Sequence, residues 1–307
     1  MDQQYDILGV GHCCQDTICA IEAYPPEDSS THILSIDDSQ GGGAVGTAIV
    51  AASRLGRRTA VIANLGDDST GDKIIEGFRS ERVDTSLIRR IPNGHSPTSI
   101  VMVDPEKGTR TKFPYRDSLP LLSFDQAQHQ AIRASRVLHL DGTRFENALN
   151  AAMIAKEAGV SVSLDGCSRR PDNEKNLRLS QLADILIMNA VYPFAVSGCS
   201  DPEQALRFFT QWGPKQALVM TIGAKGSYAL IEDRFVHFPA FFVSAIDTTG
   251  AGDVFHGAFL TRFLETQDVA VSIRFASAVS ALKCLKPGGR SGIPTRQEVD
   301  AFLAAHP

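Results

Sequence analysis

Short apolar segments alternate with helical patterns along most of the 307 residues, and this alternation restricts the fold more than any other feature of the sequence. The apolar segments are bounded by polar residues or glycine and lie at 5–10, 59–63, 136–140, 160–164, 184–188 and 216–220. The helical patterns lie at 44–55, 70–82, 145–158, 202–212, 251–265, 269–285 and 295–305. Several apolar segments are almost continuously hydrophobic, which is typical of parallel strands covered on both faces. The sequence therefore predicts an α/β fold with a doubly wound, mostly parallel sheet flanked by helices.

Two regions interrupt the alternation, at 15–40 and 95–117. Both contain extended pieces separated by turn residues, without a helical pattern. We expect them to form a small antiparallel sheet inserted into the α/β body, and a sheet beside a substrate site can close over it as a lid. Because the sequence shows no internal repeat or long linker, we predict a single domain over residues 1–307 that carries this lid.

The composition excludes several classes of partner. The net charge is −5, so the chain offers no basic field for nucleic acid. No apolar run approaches the roughly 20 residues of a membrane-spanning helix, and the polar, acidic start is unlike a secretory signal. The six cysteines lack C-x-x-C spacing, which is typical of reduced thiols. We therefore expect a cytoplasmic protein that binds neither nucleic acid nor membranes.

The segment from Asp247 to Asp253, Asp-Thr-Thr-Gly-Ala-Gly-Asp, carries the strongest chemical signal. Its turn, Gly250-Ala251-Gly252, leads directly into an apolar helix, so backbone N–H groups and the positive end of the helix dipole would meet at one point. Such a turn suits a phosphoryl group, and we expect its glycines to adopt positive φ. Asp253 would then act as a general base for a substrate hydroxyl. A second interpretation, in which Asp253 only caps the helix, is equally compatible with the spacing.

The same segment, extended to Gly257, resembles the C-terminal signature of the ribokinase (PfkB) carbohydrate kinases without a gap. The resemblance implies a ribokinase-like fold and transfer of phosphate from ATP, with Mg²⁺, to a sugar hydroxyl. It implies Asp253 as the catalytic base and Gly250, Ala251 and Gly252 as the anion hole. It also makes Asp247 and Thr249 candidate ligands of a monovalent cation such as K⁺.

Further segments extend the resemblance over nearly the whole chain. Gly41–Thr47 is similar to the N-terminal signature, and Thr221–Gly226 to the TxGxxG element that binds the nucleotide. The resemblance implies sugar binding by Asp16, Gly42, Gly43 and Thr47, and nucleotide binding by Asn189, Thr221, Gly223 and Gly226. Independently, Asp141 follows an apolar segment, where open α/β sheets bind ligands.

Arg144 follows Asp141 and is a candidate for an anionic substrate group or for a solvated position at a helix start; the sequence leaves both open. Gly41, Gly43 and Gly46 also fit the dinucleotide-binding GxGxxG pattern. However, polar residues 37–40 stand where that pattern needs the end of a strand.

The substrate is predicted from finer likenesses. Residues 250–257 and 274–294 are similar to the ketohexokinase and sulfofructose kinase branch, which favours a ketose such as fructose or sulfofructose. Cys14 and Thr47 stand where ribokinases carry asparagine, and Tyr192 stands where a glutamate helps to organise magnesium. A nucleoside kinase of the same family and a sugar-sensing relative of weak activity are the alternatives. An isolated lid has edges that need covering, so we also expect a homodimer formed through the lid.

Overall fold

The computed structural model describes residues 4–106, 109–115, 117–167 and 172–306. The strands of the described chain are β1 (Tyr5–Val10), β2 (Cys14–Ile21), β3 (Ile33–Gly42), β4 (Thr59–Ile62), β5 (Asn64–Gly66), β6 (Arg89–Ile91), β7 (Thr98–Asp104), β8 (Thr109–Tyr115), β9 (Ser135–Leu140), β10 (Ser161–Gly166), β11 (Ile185–Asn189), β12 (Ala217–Thr221), β13 (Ser227–Ile231) and β14 (Arg234–Phe238). The helices are α1 (Ala44–Arg54), α2 (Ser69–Ser80), α3 (Gln126–Arg133), α4 (Phe145–Glu157), α5 (Asn173–Leu182), α6 (Val191–Ser197), α7 (Pro202–Phe208), α8 (Ala251–Thr266), α9 (Val269–Lys283) and α10 (Arg296–Ala305). None of these helices is long and apolar enough to cross a membrane.

An eight-stranded sheet in the order β14-β13-β12-β11-β10-β9-β1-β4 forms the centre of the body. The six strands from β4 to β12 in this order pair in parallel, and β13 and β14 add an antiparallel hairpin at one edge. Helices cover both faces, so the predicted mostly parallel α/β sheet is confirmed.

The apolar strand segments supply core to both faces at once. In β1, Ile7 packs in the cluster that contains residues of α1, α8 and α9, whereas Leu8 and Val10 pack in the cluster with residues of α3 and α4. Successive side chains of a strand point to opposite faces, so only a continuously apolar strand can serve two buried layers.

The lid is a four-stranded sheet in the order β3-β2-β7-β8. The pairs β2–β3 and β7–β8 are antiparallel, as predicted, while β2 and β7 run parallel at the centre. Residues directly opposite on neighbouring strands share a face of the sheet. By this register, one face of the lid, which we call the inner face, carries three rows: Asp16, Ser99 and Pro114; Ile18, Val101 and Lys112; and Ala20, Val103 and Arg110.

Helices α1 and α8 pack closely enough to bring two glycine turns together. A Cβ at Gly257 in α8 would overlap with the carbonyl oxygen of Ala48 in α1, so glycine is required at this crossing. Because each helix begins directly after a glycine turn, the close crossing places the turn before α1 near the turn before α8.

Candidate active site

The turn before α8 is held by one carboxylate. Asp247 Oδ1 accepts a hydrogen bond from the N–H of Thr249 at 2.8 Å, and Oδ2 accepts one from the N–H of Gly288 at 2.8 Å. Burial would raise the pKa of Asp247, but these hydrogen bonds outweigh it and hold the pKa below the ordinary value. The chain then turns at Gly250, the residue before the helix, with φ of 73°.

The expectation of positive φ is confirmed at Gly250 and is wrong at Gly252, which lies in the first turn of α8 with helical geometry. No atom lies within 4 Å of the position that a Cβ would take at Gly252, which is exposed. The space on the side of Gly252 where a Cβ would project is therefore open to a ligand.

Asp253 follows in the first turn of α8 and does not cap the helix, whose N-cap position is taken by Gly250. The pKa of Asp253 is raised to about 6, mainly by burial and then by the neighbouring Asp165 carboxylate, while His256 and Lys112 oppose the rise. His256 Nε2 lies 3.2 Å from Asp165 Oδ1, and both side chains are buried. A carboxylate with a pKa near neutrality, beside an open amide turn, has the properties of a general base.

Asp16 lies on the inner face of the lid, where it is buried. Its Oδ1 accepts a short hydrogen bond from Ser99 and one of 3.4 Å from Cys14 Sγ. A Cβ at Gly42 would overlap with Asp16 Oδ2, and Gly43 has φ of 87° in the turn before α1. These glycines thus let the backbone approach the carboxylate closely.

Arg290 is a buried residue of this site that sequence reasoning missed. Its Nη2 donates to the carbonyl oxygen of Gly42 at 2.7 Å, its Nε lies 3.4 Å from Thr47 Oγ1, and its guanidinium stacks 5.0 Å from the ring centre of Phe78. Burial lowers the pKa of Arg290. The guanidinium fills the space that side chains at Gly41 and Gly46 would need, which explains both glycines without a dinucleotide.

Asp141 and Arg144 have partners within the chain. Asp141 Oδ2 accepts from the N–H of His12 at 2.7 Å, and Oδ1 accepts from the N–H of Thr143 at 2.9 Å. Arg144 forms a close ion pair with Asp117 and donates to the carbonyl oxygen of Leu119 at 3.0 Å. Asp141 therefore fixes the loop after β1, and the charge of Arg144 is already compensated.

The predicted nucleotide residues meet at the carboxyl ends of β11 and β12, where Asn189 and Thr221 lie opposite each other. Asn189 Oδ1 accepts from the N–H groups of Val191 and Tyr192, and Thr221 Oγ1 lies 3.3 Å from the carbonyl oxygen of Met188. Gly223 and Gly226 follow with φ of 64° and 99°.

Tyr192, at the position of the expected glutamate, points into the core. Its hydroxyl donates to the carbonyl oxygen of Asn176 at 2.9 Å and lies 2.9 Å from Ser180 Oγ. In the described parts of the chain, no group of three or more His, Cys, Asp or Glu side chains could hold a metal ion. Magnesium in kinases is commonly held by one or two carboxylates together with water and the phosphates of the nucleotide, so we assign no magnesium site made of protein ligands alone.

Two further cations were missed, both on the inner face of β8. Arg110 Nη1 lies 3.2 Å from Thr248 Oγ1, two residues before the turn at Gly250. Lys112 acts electrostatically on both Cys14 and Asp253. The signal was present in the sequence, since cations at positions 110 and 112 share a face of any strand that contains them.

Known proteins of similar sequence are sugar and nucleoside kinases. The chain is 31% identical to a ribokinase of Haemophilus influenzae, over 85% of this chain and 87% of the relative. It is 28% identical to a nucleoside kinase of Methanothermobacter thermautotrophicus, over 99% and 97%. It is 29% identical to a probable fructokinase-2 of Arabidopsis thaliana, over 88% and 90%.

Solved structures of similar fold include two with bound ATP. One is an Arabidopsis thaliana ribokinase in complex with ribose and ATP, with a TM-score of 0.85 and 23% identity over 99% of both chains. Another is an Escherichia coli protein assigned as ribokinase II, in complex with ATP and Mg²⁺, with a TM-score of 0.86 and 20% identity over 98% of this chain and 99% of the other. These likenesses establish a ribokinase-like fold.

The family follows from the extent of the sequence match. The sequence model of the pfkB family of carbohydrate kinases matches residues 6–296. This range includes the turn before α1, the lid and the turn before α8. The chain belongs to the pfkB family of carbohydrate kinases.

Proposed function

We propose that this kinase transfers the γ-phosphoryl group of ATP to a primary hydroxyl of a ketose, with Asp253 as the general base. The observation that carries the proposal is the position of Asp253, whose pKa is raised to about 6 mainly by burial, directly after Gly252, which faces open space. Asp253 takes the hydroxyl proton as the substrate oxygen attacks the γ-phosphorus. The bond from that phosphorus to the β,γ-bridging oxygen breaks, and ADP leaves. The amides of the turn stabilise the charge that develops on the transferred group.

The acceptor is held on the opposite side by the lid. We propose that Asp16 Oδ2 accepts hydrogen bonds from ring hydroxyls, since its Oδ1 is already used by Ser99 and Cys14. Thr47 Oγ1 accepts from Arg290 Nε and Cys14 Sγ donates to Asp16, and neither side chain has the carboxamide group that asparagine offers in ribokinases. This supports a sugar other than ribose, and the fructokinase relative supports a ketose.

Lys112 is the residue that would recognise a negatively charged acceptor. Among the described residues it forms no ion pair, whereas Arg144 is paired with Asp117. A ketose with an anionic substituent, such as a sulfonate or a phosphate, would therefore meet Lys112 rather than Arg144. The relative named as a nucleoside kinase keeps a nucleoside acceptor as the alternative.

The proposal is tested by ATP consumption against matched acceptors: fructose and sulfofructose, ribose, aldohexoses, and purine and pyrimidine nucleosides. We expect the highest kcat/KM for a ketose. A nucleoside as the best acceptor would replace the ketose proposal, and no turnover with any acceptor would support a sugar-sensing relative of weak activity. If the natural acceptor is anionic, Lys112→Met should lower kcat/KM for the charged ketose more than kcat/KM for fructose.

We propose that ATP lies against Asn189, Thr221 and the glycines Gly223 and Gly226, and that Mg²⁺ enters with it. The two solved structures of similar fold that contain ATP, one of them with Mg²⁺, support binding of the nucleotide. Titration of ATP with and without Mg²⁺, followed by calorimetry, tests it. Equal affinity for ATP in Asn189→Ala and in the unmodified enzyme would contradict the assignment.

The monovalent cation expected at Asp247 and Thr249 has a competitor in the chain itself. Lys283 is buried, and its Nζ donates to the carbonyl oxygen of Asp247 at 2.8 Å. We propose that this ammonium group supplies the positive charge beside the turn, so that turnover needs no K⁺. Rates in K⁺ and in tetramethylammonium salts of equal ionic strength should agree, and a severalfold stimulation by K⁺ would show that a bound cation is required.

We also propose a homodimer through the lid. The face opposite the inner face exposes large apolar side chains, with Ile36 63%, Phe113 53% and Tyr115 59% exposed. A second copy would cover this surface and the edges of the sheet. Light scattering of the native protein and of Phe113→Glu tests this: we expect a dimer that the substitution weakens, and a strict monomer would exclude it. A cytoplasmic location stays a prediction.

A further inference from the structure

The inner face of the lid strand β8 points two cations at different parts of the active site. Lys112 lies opposite Val101 and acts on Asp253, whereas Arg110 lies opposite Val103, one row further along the strand. Arg110 reaches across from the lid to the body, where its Nη1 lies 3.2 Å from Thr248 Oγ1. Arg110 is thus the lid cation on the phosphate side of the site.

Arg110 and the buried ammonium group of Lys283 place two cations close to the turn. Among the described residues, Arg110 forms no ion pair with a carboxylate, and its resting partner is a neutral hydroxyl. Burial lowers the pKa of the Lys283 ammonium group, and the nearby Arg110 lowers it further, whereas Asp247 and Asp253 raise it. Both oxygens of Asp247 are occupied by backbone N–H groups, and Asp253 has a raised pKa. Of these two cations, Arg110 is therefore the one without a carboxylate partner among the described residues.

We propose that Arg110 is a further catalytic residue, which binds the γ-phosphoryl group of ATP from the lid and thereby completes the anion hole formed by Gly250–Gly252. This inference rests on the proposed ATP-dependent function and adds a residue outside the segment 247–253. A guanidinium group can donate two parallel hydrogen bonds to phosphate oxygens, which its single contact with Thr248 does not use.

The contact also couples lid position to chemistry. During transfer, the acceptor oxygen bonds to the γ-phosphorus, the bond to the bridging oxygen of ADP breaks, and the hydroxyl proton passes to Asp253. Arg110 stabilises the negative charge on the oxygens of the transferring phosphoryl group and takes no proton. Because Arg110 and Asp16 lie on the same face of one sheet, a lid held by the acceptor would also hold Arg110 against the phosphate.

The test compares two nucleotides that differ in the γ-phosphoryl group, so it needs no knowledge of the acceptor. Binding of ADP and of the non-hydrolysable β,γ-imido analogue of ATP is measured by calorimetry on the whole enzyme and on Arg110→Gln and Arg110→Lys. Arg133→Gln is the matched control. Arg133 is a surface arginine paired with Glu157, and it ends α3 just before the first residue of β9, at the edge of the sheet opposite the carboxyl ends of the parallel strands.

We expect Arg110→Gln to weaken the imido analogue about tenfold or more, as for the loss of a hydrogen bond between charged groups. The affinity of Arg110→Gln for ADP should fall by less than about twofold. Arg110→Lys should bind the imido analogue with an intermediate affinity, and Arg133→Gln should bind both nucleotides like the unmodified enzyme. Equal losses for both nucleotides would mean that Arg110 only latches the lid, and no loss for either would mean that it has no role in binding. Both results overturn the inference while the proposed function stands. Failure of the unmodified enzyme to bind either nucleotide would contradict the ATP-dependent function itself.

Discussion

The central sheet and the lid sheet serve the same site with opposite physical characters. Strands of the body such as β1 are buried on both faces, and the turn before α8 is fixed by Asp247 and by the close crossing of α1 and α8. The lid buries Asp16 on its inner face, leaves large apolar side chains exposed on the other, and carries Lys112 and Arg110 without carboxylate partners among the described residues. From this difference we propose that the body holds the reacting groups in fixed positions, while the lid supplies substrate contacts and charge.

If the body holds the chemistry, its carboxylate base should be the most costly side chain to replace. We expect Asp253→Asn to lower kcat by about 10²–10⁴, the contribution of a positioned general base, with little change in acceptor binding. Steady-state kinetics with acceptor binding by calorimetry measure both quantities. Activity within twofold of the unmodified enzyme would remove Asp253 from the mechanism.

Gly252 separates the folding role of the turn from its binding role. A Cβ at this position meets no atom of the protein within 4 Å, so Gly252→Val should fold normally. The added side chain would occupy the space of the phosphoryl group, and we expect kcat to fall by about 10², comparable to the loss of an oxyanion donor. Circular dichroism provides the fold check. A folded, fully active variant would show that phosphate does not approach this amide.

Asp16 tests whether its end of the lid binds the acceptor rather than ATP. We expect Asp16→Ala to raise KM for the acceptor about tenfold or more, because buried sugar hydroxyls lose their acceptor, and to leave KM for ATP nearly unchanged. Initial rates with each substrate varied in turn give both constants. An equal rise in both would mean that the lid and the nucleotide side do not act separately.

Arg290 joins the two regions, since it lies in the segment after α9 and donates to Gly42 at the end of a lid strand. We expect Arg290→Met to raise the acceptor KM by up to about tenfold through a less fixed Gly41–Gly43 turn, with KM for ATP unchanged. Lys286→Met is the control, because Lys286 is an exposed neighbour. A lower melting temperature with unchanged KM values would make Arg290 purely structural.

The smallest effect concerns pH. Lys112 favours the ionised form of Asp253 and so lowers its pKa, which burial raises to about 6. A general base works when ionised, so kcat/KM should rise with pH through about 6, and Lys112→Met should move this limb to higher pH by a fraction of a unit. Lys73→Met is the control, because Lys73 pairs with Asp38 on the surface. If the pH at which kcat/KM rises is the same in Lys112→Met and in the unmodified enzyme, Lys112 does not act on the base.

Local patterns in the sequence predicted the parallel sheet and the lid, because the burial of a strand and the formation of a turn depend on residues that are close together in the sequence. Helices α3, α5 and α6 and the hairpin β13–β14 were not predicted. Helix α6 is short and the hairpin strands are half exposed, so neither has the continuous apolar pattern that identified the central strands. The prediction of a single domain stays a prediction.

The sequence by itself determined the reacting segment: residues 247–253 hold the turn, its amides and the carboxylate within seven consecutive positions, so chain connectivity alone brings them together. Only the tertiary structure decided what those groups face. Burial and the nearby Asp165 raise the pKa of Asp253, and Asp165 lies on β10, far from residues 247–253 in the sequence. Arg290 fills the space beside Gly41 and Gly46 from 244 or more positions away. Lys112 and Arg110 reach the site because strand register puts them on the same face as Asp16. Desolvation and charge–charge energies depend on distances through space, which a linear pattern does not contain.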